Sequence, residues 1–184
     1  SLRGNPLKSL PSSIGEFAQL QWLDLAETGL TALPSEIEAL KSLRTLYLSD
    51  NPIKVLHPSI GGLSALHYLN LDRNRLASLP VEIGKLSELR WLRLNANQLS
   101  TVADEVGQLS KLKRLYLRSN KLQDLPKGLV QLDALTDLSL SNNQFEQLPG
   151  VVTQLKHLER LDLDGNKLTT LPEDLGHLVD LKWL

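Results

Sequence analysis

The chain has 184 residues, of which 41% are hydrophobic and 22% are charged, a composition typical of a globular chain with a substantial core. Its 20 basic residues nearly balance its 21 acidic residues, which argues against a generally cationic nucleic-acid-binding protein. The absence of Cys excludes a disulfide scaffold, a Cys-based zinc site and a thiol nucleophile. Apolar runs are far shorter than the ~18 residues of a membrane span, so we expect no membrane association.

Leu recurs with a period of 23 residues along the whole chain. Repeating units begin at Leu20, Leu43, Leu66, Leu89, Leu112, Leu135 and Leu158. Partial units cover residues 1–19 and begin again at Leu181, so we call the units coils 1 to 9 and number positions from each of these Leu residues. One coil cannot bury its own apolar face, so the coils must stack and share a core. Residues 1–184 are therefore predicted to form one repeat domain.

Each coil has the pattern L-x-x-L-x-L-x-x-N-x-L-x-x-L-P-x-x-I-G-x-L-x-x. The L-x-L stretch predicts a short strand with Leu inward, and stacking places equivalent strands ~4.8 Å apart in a parallel sheet. Pro at position 15 is expected to end any helical tendency on the return segment, because it fixes φ. Gly at position 19 is expected to serve an outer turn.

A ladder of Asn side chains is predicted at position 9, where an amide offers both a donor and an acceptor to buried backbone groups. Its members are Asn51, Asn74, Asn97, Asn120, Asn143 and Asn166, with Asn5 in the first coil. Thr28 replaces Asn in coil 2. A hydroxyl replaces only part of the amide bonding, so we expect coil 2 to be slightly looser.

The 23-residue L-P-x-x-I-G-x-L pattern resembles the leucine-rich repeat (LRR) family, and the resemblance covers the whole chain. It is similar to the intracellular and bacterial classes, among them Ras-related LRR scaffolds, Roco-type proteins and bacterial effectors. The resemblance implies an α/β solenoid, a curved horseshoe with a concave parallel β-sheet and short 3₁₀ or irregular convex segments. It also implies that a partner binds the concave face. Because Cys-rich caps and N-x-S/T sequons are absent, we expect a cytoplasmic protein, or an effector delivered into a host cytoplasm.

The two ends of the chain carry no cap that would cover the shared core. We therefore expect a longer protein or further flanking residues. Six end residues are expected to be partly exposed: Leu2, Leu7, Leu10, Leu181, Trp183 and Leu184.

The residue types that support catalysis or metal binding in other proteins are scattered along this chain. Its four His residues, His57, His67, His157 and His177, fall at four different positions of the repeat and cannot converge on one metal. Phosphate-binding, dinucleotide and hydrolase motifs do not occur. Asp162 and Asp164 are predicted to share one side of a strand, where a solvated acidic patch is favoured over a calcium or catalytic pair. We predict no enzyme activity, no cofactor, no metal and no small-molecule substrate.

Aromatic residues separate into two groups. All Trp and Tyr residues lie at positions 3 and 5, which face outward on the strand, whereas Phe17 and Phe145 lie at core positions. Five of the outward residues form a predicted trail across neighbouring coils: Trp22, Tyr47, Tyr68, Trp91 and Tyr116. One interpretation is a binding face, since exposed Trp and Tyr dominate interface hot spots. The other is that the rings shield the sheet by packing over neighbouring strands.

Basic residues concentrate in coils 5 and 6, between acidic flanks on both sides. The basic centre contains Arg90, Arg93, Lys113, Arg114 and Arg118. Arg114, Asp137 and Arg160 alternate along position 3 and are expected to pair, which leaves Arg90, Arg93, Lys113 and Arg118 unmatched. The pattern favours a partner with an acidic patch or a phosphate.

The sequence therefore predicts a protein-protein interaction module whose concave face binds a partner protein. The alternatives are a substrate-targeting arm of a larger modular enzyme (a GTPase, kinase or ubiquitin ligase), a bacterial effector, and a scaffold without a natural ligand. Nucleic acid is the least favoured partner, because acids flank the short basic patch. No pattern specifies an oligomeric state.

Overall fold

The chain forms a stack of coils with one parallel sheet, as described for residues 1–184 by a computed structural model. The sheet has seven strands in chain order, β1 to β7. Their bounds are Trp22–Asp24, Thr45–Tyr47, Tyr68–Asn70, Trp91–Arg93, Arg114–Tyr116, Asp137–Ser139 and Arg160–Asp162. Equivalent positions pair throughout, as Trp22 does with Thr45, and an isolated bridge joins Arg160 to Trp183 of coil 9. The predicted curved solenoid with an open parallel sheet is confirmed.

Short 3₁₀ helices form the return side of each coil. They span Ser12–Glu16, Ser35–Ala39, Pro58–Gly62, Val81–Lys85, Asp104–Gln108, Lys127–Gln131, Val152–Gln154 and Glu173–His177. The expectation that Pro ends a helical tendency is wrong. Pro34, with φ −69°, directly precedes its 3₁₀ helix, and His57 adopts a similar φ of −66° where Pro is missing. The Pro ring thus favours the extended backbone from which the helix starts. None of these helices has the length and apolarity that crossing a membrane requires.

One continuous core runs along the stack and contains 46 buried residues. Leu at position 4 is at most 6% exposed in every strand from β1 to β7. Phe145 is fully buried as expected, but Phe17 is 59% exposed, which contradicts the inward placement of both Phe residues. Phe17 lies in coil 1 at the end of the described stack, whereas Phe145 lies between two described coils.

The Asn ladder bonds each coil to the one before it. The Asn97 amide donates to the carbonyl oxygens of Leu71 (2.9 Å) and Leu94 (3.1 Å), and its oxygen accepts from the Leu76 N–H (3.0 Å). The same three contacts recur at Asn51, Asn74, Asn120, Asn143 and Asn166. Buried backbone groups of adjacent coils are satisfied in this way.

Thr28 interrupts the ladder between coils 1 and 2. Its hydroxyl donates to the Leu25 carbonyl at 2.7 Å but does not reach Leu2, the residue that an Asn in its place would bond. The Leu7 N–H, which would bond to that Asn, donates to the Asn5 carbonyl instead (2.7 Å). The missing contacts are therefore those that would tie coil 1 to coil 2.

Two backbone features were not predicted. A Cβ on Gly61 would lie 2.7 Å from the Glu82 carbonyl oxygen of the next coil, so Gly at position 19 permits close packing of neighbouring 3₁₀ helices, not an outer turn. Position 8 adopts positive φ in coils 1 to 8, including the non-Gly residues Asp50 (60°) and Ala96 (54°). This left-handed residue turns the chain away from the strand.

Candidate functional site

The concave face is built from the outward side chains of the short strands. In β4, Leu92 is fully buried, whereas its neighbour Trp91 points to the other side and is 40% exposed. Strand alternation thus mounts a different side chain from each coil on a common rigid sheet. The predicted outward orientation of positions 3 and 5 agrees with this arrangement.

Four of the five predicted aromatic residues form a continuous row. We define the aromatic row as Trp22, Tyr47, Tyr68 and Trp91, whose successive ring centroids lie 5.8, 5.0 and 5.6 Å apart. The ring pairs are tilted or edge-to-face, with interplanar angles of 61°, 44° and 69°, and such pairs each contribute ~0.5–1.5 kcal/mol. The inner rings are half-buried, so the row does shield the sheet, yet Trp22 at one end keeps 45% of its surface exposed.

Tyr116 does not continue the row as a ring-to-ring contact. The Arg93 guanidinium lies over the Tyr116 ring, 5.5 Å from its centroid, and Arg114 lies over Trp91 at 4.8 Å. Beyond Trp91, cation–π contacts therefore replace the ring-to-ring contacts. The aromatic surface and the basic residues form one connected face.

Burial changes the chemistry of Tyr68, in the middle of the row. Loss of solvent around the phenol raises the pKa of Tyr68 above its usual value of 10.0, because burial disfavours the phenolate. The positive charge of Arg93 opposes this change but does not cancel it. Tyr68 is therefore a neutral hydrogen-bonding group on the concave face.

Arg93 is not the unmatched cation that the sequence predicted. Its Nε and Nη2 atoms lie 2.7 and 2.6 Å from Oδ2 of Asp72, a carboxylate that is almost fully buried. Asp72 Oδ1 also accepts from the Asn95 N–H at 2.8 Å. Burial alone would lower the pKa of Arg93, but the hydrogen bond and charge of Asp72 outweigh it and the pKa is raised. The acid that holds Arg93 comes from position 7 of the preceding coil.

The other charge predictions agree with the geometry. Asp137 lies between Arg114 and Arg160, at 3.7 Å from the Nε atom of each. Arg90, Lys113 and Arg118 form no ion pair. Arg90, Lys113 and Arg118 thus lack internal charge partners.

A cavity of about 670 Å³ lies against the aromatic row. It is lined by Trp22, Thr45, Tyr47, His67, Tyr68, Arg90, Trp91, Lys113, Arg114 and Thr136. No carboxylate is among these residues. Thr45, His67 and Thr136 were not predicted as site residues. The basic residues at position 2 of neighbouring coils would have indicated His67.

A second cavity, of about 450 Å³, adjoins the first and shares Arg114 with it. Here acidic and basic side chains are mixed, with Asp137, Glu159 and Asp162 beside Arg118 and Arg160. Both Ser139 and Ser141 donate to Asp162 Oδ2, at 3.0 and 2.7 Å, so this carboxylate is already engaged.

No arrangement for metal binding is present. The structure contains no cluster of three or more His, Cys, Asp or Glu side chains that could hold a metal ion. His57 accepts from the Ser59 N–H at the start of a 3₁₀ helix, and His157 lies 3.3 Å from Asp180. These His residues contact their own coil or the next one and do not converge.

The repeat matches the profiles of a known protein family. The family profile described as leucine-rich repeat region matches residues 1–79 and 54–144, and a profile of two leucine-rich repeats matches residues 133–177. The chain belongs to the leucine-rich repeat family. The LRR fold is commonly a protein-binding module and typically a non-enzymatic scaffold. No curated protein sequence matches this LRR chain significantly.

Three solved structures illustrate the similarity. An LRR protein of Leptospira interrogans is 37% identical with a TM-score of 0.76, and the alignment covers 98% of this chain and 52% of that one. The plant peptide hormone receptor RGFR1, in complex with RGF2, is 27% identical (TM-score 0.69; 96% and 33% covered). TLR13, in complex with ssRNA13, is 28% identical (TM-score 0.84; 94% and 26% covered). This chain thus spans about half of the Leptospira protein and a smaller part of RGFR1 and of TLR13.

Proposed function

We propose that this LRR domain is a protein-recognition module whose concave face binds a partner protein. The observation that carries the proposal is the aromatic row, which ends in two Trp side chains that are 45% and 40% exposed on a rigid sheet. Large aromatic side chains in this setting are typical anchors of protein interfaces. The complex of the similar receptor RGFR1 with RGF2 supports binding of a protein or peptide.

The rigid sheet beneath the aromatic row lowers the conformational-entropy cost of binding. Tyr47, Tyr68 and Trp91 are fixed by neighbouring rings and lie in β2, β3 and β4, whose backbones are paired on both sides. Trp22 contacts Tyr47 and lies in β1, which pairs with β2. Few side-chain rotamers remain to be ordered when a partner arrives. The row therefore presents a preformed apolar surface.

The basic side chains orient the partner. Arg90, Arg114 and Arg118 surround the row and Tyr116 without a close carboxylate of their own, apart from the 3.7 Å contact of Arg114 with Asp137. They would face an acidic patch of the partner, and rim charges of this kind mainly govern association rate and specificity. Arg93 contributes indirectly, because Asp72 holds it over Tyr116.

Affinity capture from an extract, with the bound proteins quantified, tests the proposal. A Trp22→Ala/Trp91→Ala variant should lose the partner while keeping the circular dichroism of the folded solenoid. Trp183→Ala is the matched control, since Trp183 is 44% exposed but lies in coil 9, away from the row. Retention of every specific partner by the double variant would overturn the proposal.

A further inference from the structure

Position 2 carries a column of basic residues along one margin of the concave face. We define the cation column as Arg44, His67, Arg90 and Lys113. The backbone N–H of each of the last three donates to the carbonyl oxygen of the preceding member, at 2.8, 2.9 and 2.8 Å. The column is therefore part of the continuous backbone ladder, and its members are spaced by ~4.8 Å.

The column has almost no internal charge partner. Arg44, Arg90 and Lys113 are exposed and form no ion pair. His67 approaches only Glu88, at 4.0 Å, and Lys111 already binds that carboxylate at 2.5 Å. Position 2 is neutral at Thr136 and acidic at Glu159, where Lys182 lies 3.0 Å from the carboxylate. The unpaired cations thus coincide with the part of the sheet that carries the aromatic row.

The column and the row line the same cavity. His67, Arg90 and Lys113 face the cavity from one side, and Tyr68 and Trp91 of the row face it as well. With Arg114 over Trp91, the cavity combines exposed aromatic carbon with several positive charges and no carboxylate. Its chemistry is complementary to an apolar group that lies next to negative charge.

We propose that this cavity binds an acidic peptide segment of the partner, and that Arg90 and Lys113 determine its specificity. An aromatic or aliphatic side chain of the segment packs against Tyr68 and Trp91. Neighbouring Asp or Glu carboxylates meet Arg90 and Lys113 in charge-assisted hydrogen bonds. The inference rests on the proposed function, and it names the class of segment that the concave face recognises.

The geometry of the row favours a peptide over single-stranded nucleic acid. A base inserted between two rings needs about 7 Å between them, twice an ordinary carbon–carbon contact. The ring centroids are 5.0–5.8 Å apart and the rings are tilted, so the row offers no such slot.

Selection from a phage-displayed library of random peptides tests the inference. The wild-type chain should enrich peptides with Asp or Glu close to Trp, Phe or Leu. An Arg90→Glu/Lys113→Glu variant should bind these peptides at least ~10-fold more weakly and should enrich Lys and Arg instead. The control is Lys85→Glu/Lys127→Glu, which makes the same change in net charge on 3₁₀ helices and should leave the selection unchanged.

The contradictory outcomes separate the two proposals. If the selected peptides require Tyr68 and Trp91 but contain no acidic residues, or survive the charge reversal, the acidic segment is wrong and the proposed function stands. If no peptide is selected, or if the selection does not depend on Tyr68 and Trp91, the acidic segment is wrong, and the affinity capture with Trp22→Ala/Trp91→Ala decides the proposed function separately. Tighter binding of a labelled oligouridylate than of any selected peptide, lost in the same charge-reversal variant, would assign the cavity to nucleic acid and overturn the inference.

Discussion

The two sides of the sheet differ although they are built from the same short strands. On the inner side, position 4 is Leu in every strand and is at most 6% exposed. On the concave side the neighbouring position changes from Trp91 to Arg114 to Asp137 in successive strands. The inner residues must fit a shared close-packed core, whereas the outer residues contact mainly one another. The fold thus depends on the repetition, and recognition on the variation.

Adjacent residues of β4 give the largest expected difference between the two sides. Leu92→Ala leaves a cavity in the core and should lower the free energy of unfolding by about 2–5 kcal/mol. Trp91→Ala removes one ring pair, one cation–π contact and the burial of part of the ring. It should cost less than Leu92→Ala, roughly 1–3 kcal/mol, because 40% of Trp91 is already exposed. Denaturant unfolding of both variants measures the difference. Equal losses would contradict the division of the strand into a structural and a binding side.

Asp72 is a carboxylate on the concave margin that is buried although it lies outside the apolar core. Asp72→Ala leaves the half-buried Arg93 and the Asn95 N–H without their acceptor, and should lower the free energy of unfolding by roughly 1–3 kcal/mol. Glu88→Ala is the control, since its partner Lys111 is 51% exposed and such surface pairs contribute about 0–1 kcal/mol. A loss no larger than that of the control would show that Asp72 does not position Arg93.

Completing the Asn ladder at Thr28, on the inner side, should increase stability. Thr28→Asn places an amide where it reaches the Leu2 carbonyl and the Leu7 N–H, and should raise the free energy of unfolding by about 0.5–1.5 kcal/mol. Hydrogen exchange of the coil 1 amides should slow in the same variant. Unchanged hydrogen exchange would mean that the missing amide does not weaken the attachment of coil 1 to coil 2.

The smallest expected effect on stability is that of Tyr68, and this effect depends on pH. Burial raises its pKa above the unfolded value, so its contribution to stability is constant below pH ~10 and is lost as the pH rises through the folded pKa. The ultraviolet phenolate titration of the wild type, minus that of Tyr68→Phe, should place the ionisation of Tyr68 above its usual value. A difference titration centred at or below 10.0 would contradict the burial of the ring.

The sequence predicted the repeat and failed mainly in the side-chain pairing. The period placed every strand and the Asn ladder, because Leu and Asn have the same neighbours in each coil. The Arg93–Asp72 pair was missed, since it joins position 5 to position 7 of the preceding coil and depends on rotamers that spacing does not specify. Tyr116 was assigned to the row for the same reason. The cavity could not be predicted from positions 3 and 5 alone, because part of its lining comes from position 2, where His67 faces the row.

The most direct test of the account is the dissociation constant of the captured partner for wild type and for Tyr68→Ala/Trp91→Ala. We expect the double variant to bind more weakly by at least about 1–4 kcal/mol, the loss typical of one hot-spot residue, while the solenoid stays folded and Trp183→Ala binds like wild type. An unchanged dissociation constant for the folded double variant would contradict recognition by the concave face.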